Sequence, residues 1–279
     1  MSLGDAEYFR TVCGRVFPIR AGQLLCFVSD DARATLEIPV RQVNRPWPPW
    51  RPPPDGSYHG PLTARTNSRH LSILAARHGC LDVLDWGCGT AEYRALVRDV
   101  LRHRYVGVDV AGAGADVLAD VHRLPFCEES FDHVITNATL EHVANPFVAV
   151  REVARVLRRG GVFSGSAAFL EPSHHASHFH LAPDGIVHVL RTSGLAVEAL
   201  WPQEGWTVFD SLADMPGPVT GLTRWVLRGL GRLERLLRAR HLHPRVRGAG
   251  RWLTRRTSEE MYAERLLLTG QIDFLAVKR

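Results

Sequence analysis

A few carboxylates, glycines and histidines carry the chemistry that this chain can offer. The segment VLDWGCGT, Val83 to Thr90, puts Asp85 just ahead of Gly87, Cys88 and Gly89. Glycines lack the Cβ that would keep a ligand off the backbone, and a helix start beyond them offers unpaired N–H groups. A dinucleotide turn requires a third glycine, G-x-G-x-x-G, where this chain has Glu92, an anion badly placed for a pyrophosphate. Asp85 instead suits a cationic ligand.

The second set is imidazole. EPSHHASHFHLAPDGIVHVL, residues 171–190, holds His174, His175, His178, His180 and His188. Imidazoles three or four apart on a helix can share an ion. Here Pro172 and Pro183 oppose a regular helix, and no acidic or cysteine ligand is obviously paired, so no metal is expected. An acid/base or substrate-positioning role fits better, with His142, His175 and His178 as the candidate catalytic residues; the plain alternative is that the loop histidines are polar residues of a lid and that His142 braces its turn.

These groups need a scaffold that brings strand ends together. Leu81, Val83, Leu84 and Trp86 read as a strand buried on both faces, preceded by a helix with Leu71, Leu74, Ala75 and His78 on one side. A helix from about Ala91 to Arg102 should return to a second strand, Tyr105 to Val110, containing Asp109, 24 residues after Asp85. Asp120 closes a short strand before Val121, and Asn137 falls at the carboxyl end of a strand beginning at Phe131, where ligands collect in open α/β sheets. Asn145 and Pro146 cap and start a helix carrying Phe147, Val150, Val153 and Leu157 inward, which Gly160 and Gly161 should end. Strands at 162–169, Leu195 to Trp201 and Ile272 to Val277 complete the alternation, the last one reading as an antiparallel edge.

Taken together, D-x-G-x-G, LEHV (Leu140 to Val143) and RVLRRGG (Arg155 to Gly161) resemble the class I S-adenosylmethionine (SAM) dependent methyltransferases, in particular the small-molecule group that includes the ubiquinone and menaquinone C-methyltransferases. The resemblance covers about Leu81 to Trp201. It implies a doubly wound, seven-stranded Rossmann-like α/β sheet with an antiparallel last strand, and SAM as cofactor. It also implies that Asp85, Gly87, Cys88, Gly89, Asp109, Val110, Asp120, Val121 and Asn137 surround that cofactor. Asp109 would hold the ribose diol, since one carboxylate can accept from two hydroxyls, and Asp120 would take the adenine amino group; as an ordinary loop cap, Asp120 has a simpler reading too. Two positions depart from the family: Ala91 stands where glycine is common, tolerable if its φ is negative, and Arg159 replaces the usual proline.

The implied function is methyl transfer to an O, N or C atom of a small molecule in secondary or cofactor metabolism. The alternatives are an RNA or protein acceptor, or a silent SAM-binding partner of another enzyme. Composition suits one globular enzyme: 279 residues, 45% hydrophobic, without an apolar run long enough to span a bilayer or a signal-peptide core, hence a cytoplasmic expectation. Five scattered cysteines indicate no disulfide frame. Residues 1–210 hold 20 basic against 23 acidic side chains, and 211–279 hold 14 against 6, so the net +5 belongs to the tail. We divide the chain into an N-terminal extension with a proline-rich linker (1–60), a cofactor-binding core (61–202), a basic helical insertion (203–262) and a closing strand (263–279). Within 1–60, apolar runs around Val12, Leu24 to Val28 and Leu36 to Val40 suit a small β unit, and Arg45 to Pro54 a stiff linker. The insertion predicts a helix from Val219 to about Arg238 whose apolar stripe (Leu222, Trp225, Val226, Leu230, Leu233, Leu236, Leu237) packs on the domain, or alternatively meets a membrane surface; nucleic acid is not an expected partner.

Overall fold

The computed structural model describes residues 8–10, 16–20, 23–26, 68–174, 176–203, 207–215, 221–241 and 266–279, with backbone alone for 8–26, 68–71 and 235–241. His175, the Leu36 to Val40 run and the Arg45 to Pro54 linker lie outside the described residues.

The sheet is built around β4, Asp82–Trp86. Its flanking strands are β5 (Arg104–Asp109), β6 (Val117–Ala119), β7 (Phe131–Asn137), β8 (Leu157–Ala168), β9 (Leu195–Pro202) and β10 (Gln271–Lys278), and these seven run in the order β6-β5-β4-β7-β8-β10-β9. β4 pairs in parallel with β5 on one side and β7 on the other. The strand order therefore reverses at β4, and a crevice opens at its carboxyl end. Three N-terminal strands, β1 (Tyr8–Arg10), β2 (Val16–Arg20) and β3 (Gln23–Cys26), extend the sheet by a parallel pairing of β3 with β6, so they are continuous with it rather than a separate unit.

Burial follows composition. Val83, Leu84, Trp86, Val134 and Ile135 are fully buried, as continuous apolar strands covered on both faces must be. Phe163 stands edge-on to both Trp86 (6.1 Å) and Phe274 (5.0 Å), linking β4, β8 and β10 in one core. Helix α1, Ser68–Ala75, buries Ile73 and Leu74, whereas Ala75 and His78, expected on its inner face, are exposed. Helix α2, Pro146–Val156, starts as anticipated: the Asn145 side chain accepts from the Val148 amide at 3.2 Å, and Pro146 occupies the first turn, where a missing N–H costs nothing. Helix α3, Pro183–Thr192, covers β9.

Several expectations need correction. Residues 91–102 hold no regular α-helix: a run of turns leads to a π-helical turn, Leu96–Val100, closed by the Leu101 amide on the Leu96 carbonyl. Helix α2 ends at Val156 rather than at the glycines, because Leu157 already pairs with Phe131, and residues 158–161, with Gly160 at φ 73°, form the irregularity before His133 meets Val162. β10 is not an edge but lies between β8 and β9, antiparallel to both, which leaves β9 as the outer strand. Cys80 and Cys88 are free thiols, yet Cys127 is disulfide-bonded, a pairing that sequence spacing could not reveal.

The basic insertion folds partly as expected. Helix α4, Val208–Asp214, opens with a reciprocal capping box between Thr207 and Asp210, and helix α5, Gly221–His241, packs on it. The contact is made through Gly231, which is buried with Asp210 and Thr207 against it. The apolar stripe points the other way: Leu222 and Trp225 are each 73% exposed, and Val226, Leu230 and Leu233 are also exposed.

Candidate functional site

The turn after β4 is fixed by backbone hydrogen bonds. Gly87 and Cys88 both donate to the Val108 carbonyl (2.9 and 3.0 Å), which ties the turn to the end of β5. Gly87 has φ 73°, and a Cβ there would collide with the Thr139 side chain. Gly89, at φ 52°, donates its amide to Asp109 Oδ2 at 2.8 Å, while Asp109 Oδ1 accepts from the Val110 amide at 2.7 Å. The Ala111 amide reaches the same Oδ1 at 3.4 Å, so of the two oxygens Oδ2 keeps a further acceptor direction. Sequence reading missed Gly114, although the run Ala111 to Ala115 alternates alanine and glycine: a Cβ at Gly114 would enter the backbone of Gly89 to Ala91.

Beside this turn lies a cavity of about 750 Å³ whose wall includes Gly87, Cys88, Gly89, Asn137, His174 and Gln203, a volume within the usual range for small-ligand sites. Asn137 sits at the end of β7 as expected, its Oδ1 accepting from Ser166 Oγ at 2.7 Å. Val110 is 54% exposed, whereas Val121 is buried in the core.

Asp85 does not face the cavity. It is 1% exposed and accepts a 2.6 Å hydrogen bond from the Tyr105 hydroxyl. Burial pushes its carboxyl up to about 7, with the Tyr105 bond pulling the other way and the Asp109 charge adding to the rise. Burial and the Asp85 charge likewise push the Cys88 thiol up to about 12, so it is protonated at neutral pH. Arg94 holds the far side of the turn, donating to the Gly114 carbonyl (2.7 Å) and Asp116 (2.8 Å) and lying over the Tyr105 ring.

Asp120 is engaged with His122, whose Nδ1 is 2.6 Å and whose amide is 2.9 Å away, and these bonds hold its carboxyl below the usual range against a weaker effect of burial. His122 Nε2 accepts from the Asn145 amide at 3.0 Å, so Nδ1 carries the ring hydrogen. Asp120 therefore caps its own loop and, through His122, orients the start of α2.

Of the histidines, the structure brings together His142 and His174, with ring centroids 5.1 Å apart. His142 ends a short 3₁₀ turn, Leu140–His142, that follows β7. His178 is exposed and contributes its amide instead, which donates to the Glu141 carbonyl. Sequence reading quoted Glu141 within LEHV but gave it no role. Burial pushes its carboxyl up to about 7.

Part of the chain is similar to known methyltransferases. Residues 84–164 match the methyltransferase domain family. A bifunctional methionine biosynthesis protein MetXA/MetW of Rhodopirellula baltica is 35% identical over 138 residues, which are 42% of this chain and 22% of that protein. A demethylmenaquinone methyltransferase of Roseiflexus castenholzii is 37% identical over 102 residues, 32% of this chain and 43% of that one. The aligned chain thus spans less than half the length of these relatives. Among solved structures, a geranyl diphosphate C-methyltransferase of Streptomyces coelicolor superposes with a TM-score of 0.45 at 13% identity, covering 75% of this chain and 77% of that one. Over residues 84–164 the chain is similar to the SAM-dependent methyltransferase family.

Proposed function

We propose that this chain transfers the SAM methyl group to an O, N or C atom of a small molecule in secondary or cofactor metabolism. In this reading, residues 61–202 with 263–279 form the transfer core, and 1–60 and 203–262 flank it; the location is cytoplasmic. The observation that carries the reading is the Gly89–Asp109 bond, which sets a carboxylate with spare acceptor capacity beside a glycine turn at the point where strand order reverses.

The residues present fit the cofactor. Gly87, Cys88 and Gly89 line a cavity of suitable volume, and Asp109, bonded to the Gly89 amide of that lining, keeps an acceptor direction on Oδ2 for a ribose hydroxyl. When bound, SAM supplies an electrophilic methyl on a sulfonium, which leaves as a neutral thioether. The chain's own contribution is alignment of the acceptor and exclusion of water, which can account for several kcal/mol of a barrier without covalent chemistry. Asn137 and His174 stand on the wall where an acceptor would sit. If that acceptor is a hydroxyl, His174 and its neighbour His142 are the groups placed to take the proton.

Calorimetric titration with S-adenosylhomocysteine tests the reading. Asp109→Ala should weaken binding by about 1.5 to 3 kcal/mol, the scale of hydrogen bonds to a charged group. Unchanged affinity would sink the assignment.

A further inference from the structure

The His-rich loop brings one acid of its own, Glu171, whose Oε2 lies 3.9 Å from His174 Nδ1, and the fold supplies a second. Glu141, His142 and His174 each present a ligand-type atom, and the three atoms lie within 4.8 Å of one another. Glu141 is fully buried, and neither of its carboxylate oxygens makes a well-formed hydrogen bond; its own amide and that of Ala168 lie beside it, with the Glu171 carboxylate and His174 near enough to act on its charge. A buried carboxylate without a counter-charge is costly, so such a group calls for a cation or a proton.

The backbone holds these residues in place. The amides of His178 and Phe179 donate to the Glu141 carbonyl at 2.6 and 3.2 Å, fastening the loop that carries His174 onto the turn that carries Glu141 and His142. His174 Nδ1 is 3.0 Å from the Pro172 carbonyl. A carbonyl only accepts, so Nδ1 carries the hydrogen and the basic nitrogen is Nε2. Metal-bound imidazoles are usually anchored in this way through their other nitrogen.

We propose that Glu141, His142 and His174 bind one divalent first-row transition-metal ion of the zinc type. Two imidazoles with one carboxylate suit such an ion, whereas magnesium and calcium prefer all-oxygen shells. Metal–ligand bonds of about 2.1 Å bring donors to about 3.4 Å of each other, so the side chains close by roughly 1 Å around the ion. Three protein ligands leave a coordination position open, and His174 also lines the cavity, so a molecule in the cavity can reach it. With the imidazoles serving as ligands, the ion would acidify an acceptor hydroxyl in place of a histidine base; that use rests on the methyl-transfer reading, and the metal binding does not.

The test uses the full-length chain without a histidine tag, stripped with a chelator and dialysed against Zn²⁺, then against Co²⁺ for its visible d–d absorption. One equivalent should bind, and His174→Ala, on the half-exposed loop, and Glu141→Gln should each lower affinity at least tenfold and abolish the Co²⁺ band. Far-UV circular dichroism and cooperative urea unfolding of both variants should match the wild-type chain, which shows that they are folded. Substoichiometric binding to the wild-type chain, or affinity that neither variant changes, overturns the proposal. Stoichiometric Zn²⁺ binding without S-adenosylhomocysteine binding would overturn the methyl-transfer reading and leave the metal site standing.

Discussion

The turn after β4 and the turn after β7 sit side by side at the carboxyl edge of one sheet, but they satisfy their acids in opposite ways. At the first, Asp109 accepts backbone amides and Asp85 accepts the Tyr105 hydroxyl. At the second, Glu141 is buried without a well-formed hydrogen bond and within reach of two imidazoles. The first turn is built mostly from backbone, whose geometry glycines and strand ends prescribe locally. The second is assembled from side chains that meet only when the loop after β8 folds back. A backbone-built turn makes a fixed cradle, and a side-chain cluster can exchange its partner, be it a proton, an ion or an acceptor.

The sharpest way to break the contrast is to ask whether Asp85 is as well accommodated as its hydrogen bond suggests. Its carboxyl titrates near 7 in the folded chain against an ordinary value of 3.8, so the native state binds the proton more tightly than the unfolded chain does. The sign follows: between these values stability falls as pH rises, because the unfolded chain releases the proton first. Asp85→Asn keeps an oxygen for Tyr105 and removes the charge. Its gain in unfolding free energy should grow from under about 2 kcal/mol at pH 5 to as much as about 4 kcal/mol at pH 8, at 1.36 kcal/mol per pKa unit. Urea denaturation at the two pH values checks this, and a gain independent of pH would show that Asp85 is as well solvated by Tyr105 as Asp109 is by its amides.

A steric test comes next. Gly114→Ala places a Cβ into the Gly89 to Ala91 backbone, which cannot swing aside as a side chain would. The expected cost is about 1 to 3 kcal/mol of stability, typical of overpacking, with loss of measurable S-adenosylhomocysteine binding because Gly89 moves. Normal binding by calorimetry would mean that the glycine turn is more compliant than a backbone-built site should be, and would erase much of its difference from the Glu141 turn.

How much was legible in the sequence divides along the same line. The strands around Asp85, Asp109 and Asn137 could be placed because continuous Val, Leu and Ile runs mark buried parallel strands, and the glycines and Asn145-Pro146 mark their ends. Glu141 and His174 are 33 residues apart, and nothing in either segment alone announces the other. Periodicity failed for α5, where the apolar stripe was expected inward: helical spacing shows that one face is apolar without showing what meets it, and the close approach permitted at Gly231 placed the opposite side against α4. Asp85 was misread for a related reason. β4 is covered on both faces, so Asp85, with Trp86 still between it and Gly87, is buried by the strand rather than presented by the turn.

The smallest effect compares the two turns directly through backbone strain. Each contains an alanine in the left-handed region: Ala91 at φ 58° in the turn after β4, and Ala138 at φ 51° immediately after β7. The positive φ of Ala91 overturns the negative value that would have made alanine comfortable where the family commonly has glycine. A non-glycine residue there carries about 1 kcal/mol or more of steric strain, partly offset in a glycine variant by the larger entropy of its unfolded chain. Ala91→Gly should therefore stabilise by about 0.5 kcal/mol, a rise in melting temperature of about 1 to 2 °C for a chain of this size. Ala138 also donates its amide to the Ser166 carbonyl and hydroxyl, both at 3.2 Å, so its conformation is held from β8 as well as by its own turn. Ala138→Gly should give a similar gain if strain is the only difference, and less if glycine loosens the 3₁₀ turn that carries Glu141 and His142. Calorimetric scans of both variants, with and without Zn²⁺, separate these outcomes: a gain at Ala138 that Zn²⁺ leaves unchanged would show that the second turn is as rigid as the first, and the contrast between them would lie in side chains alone.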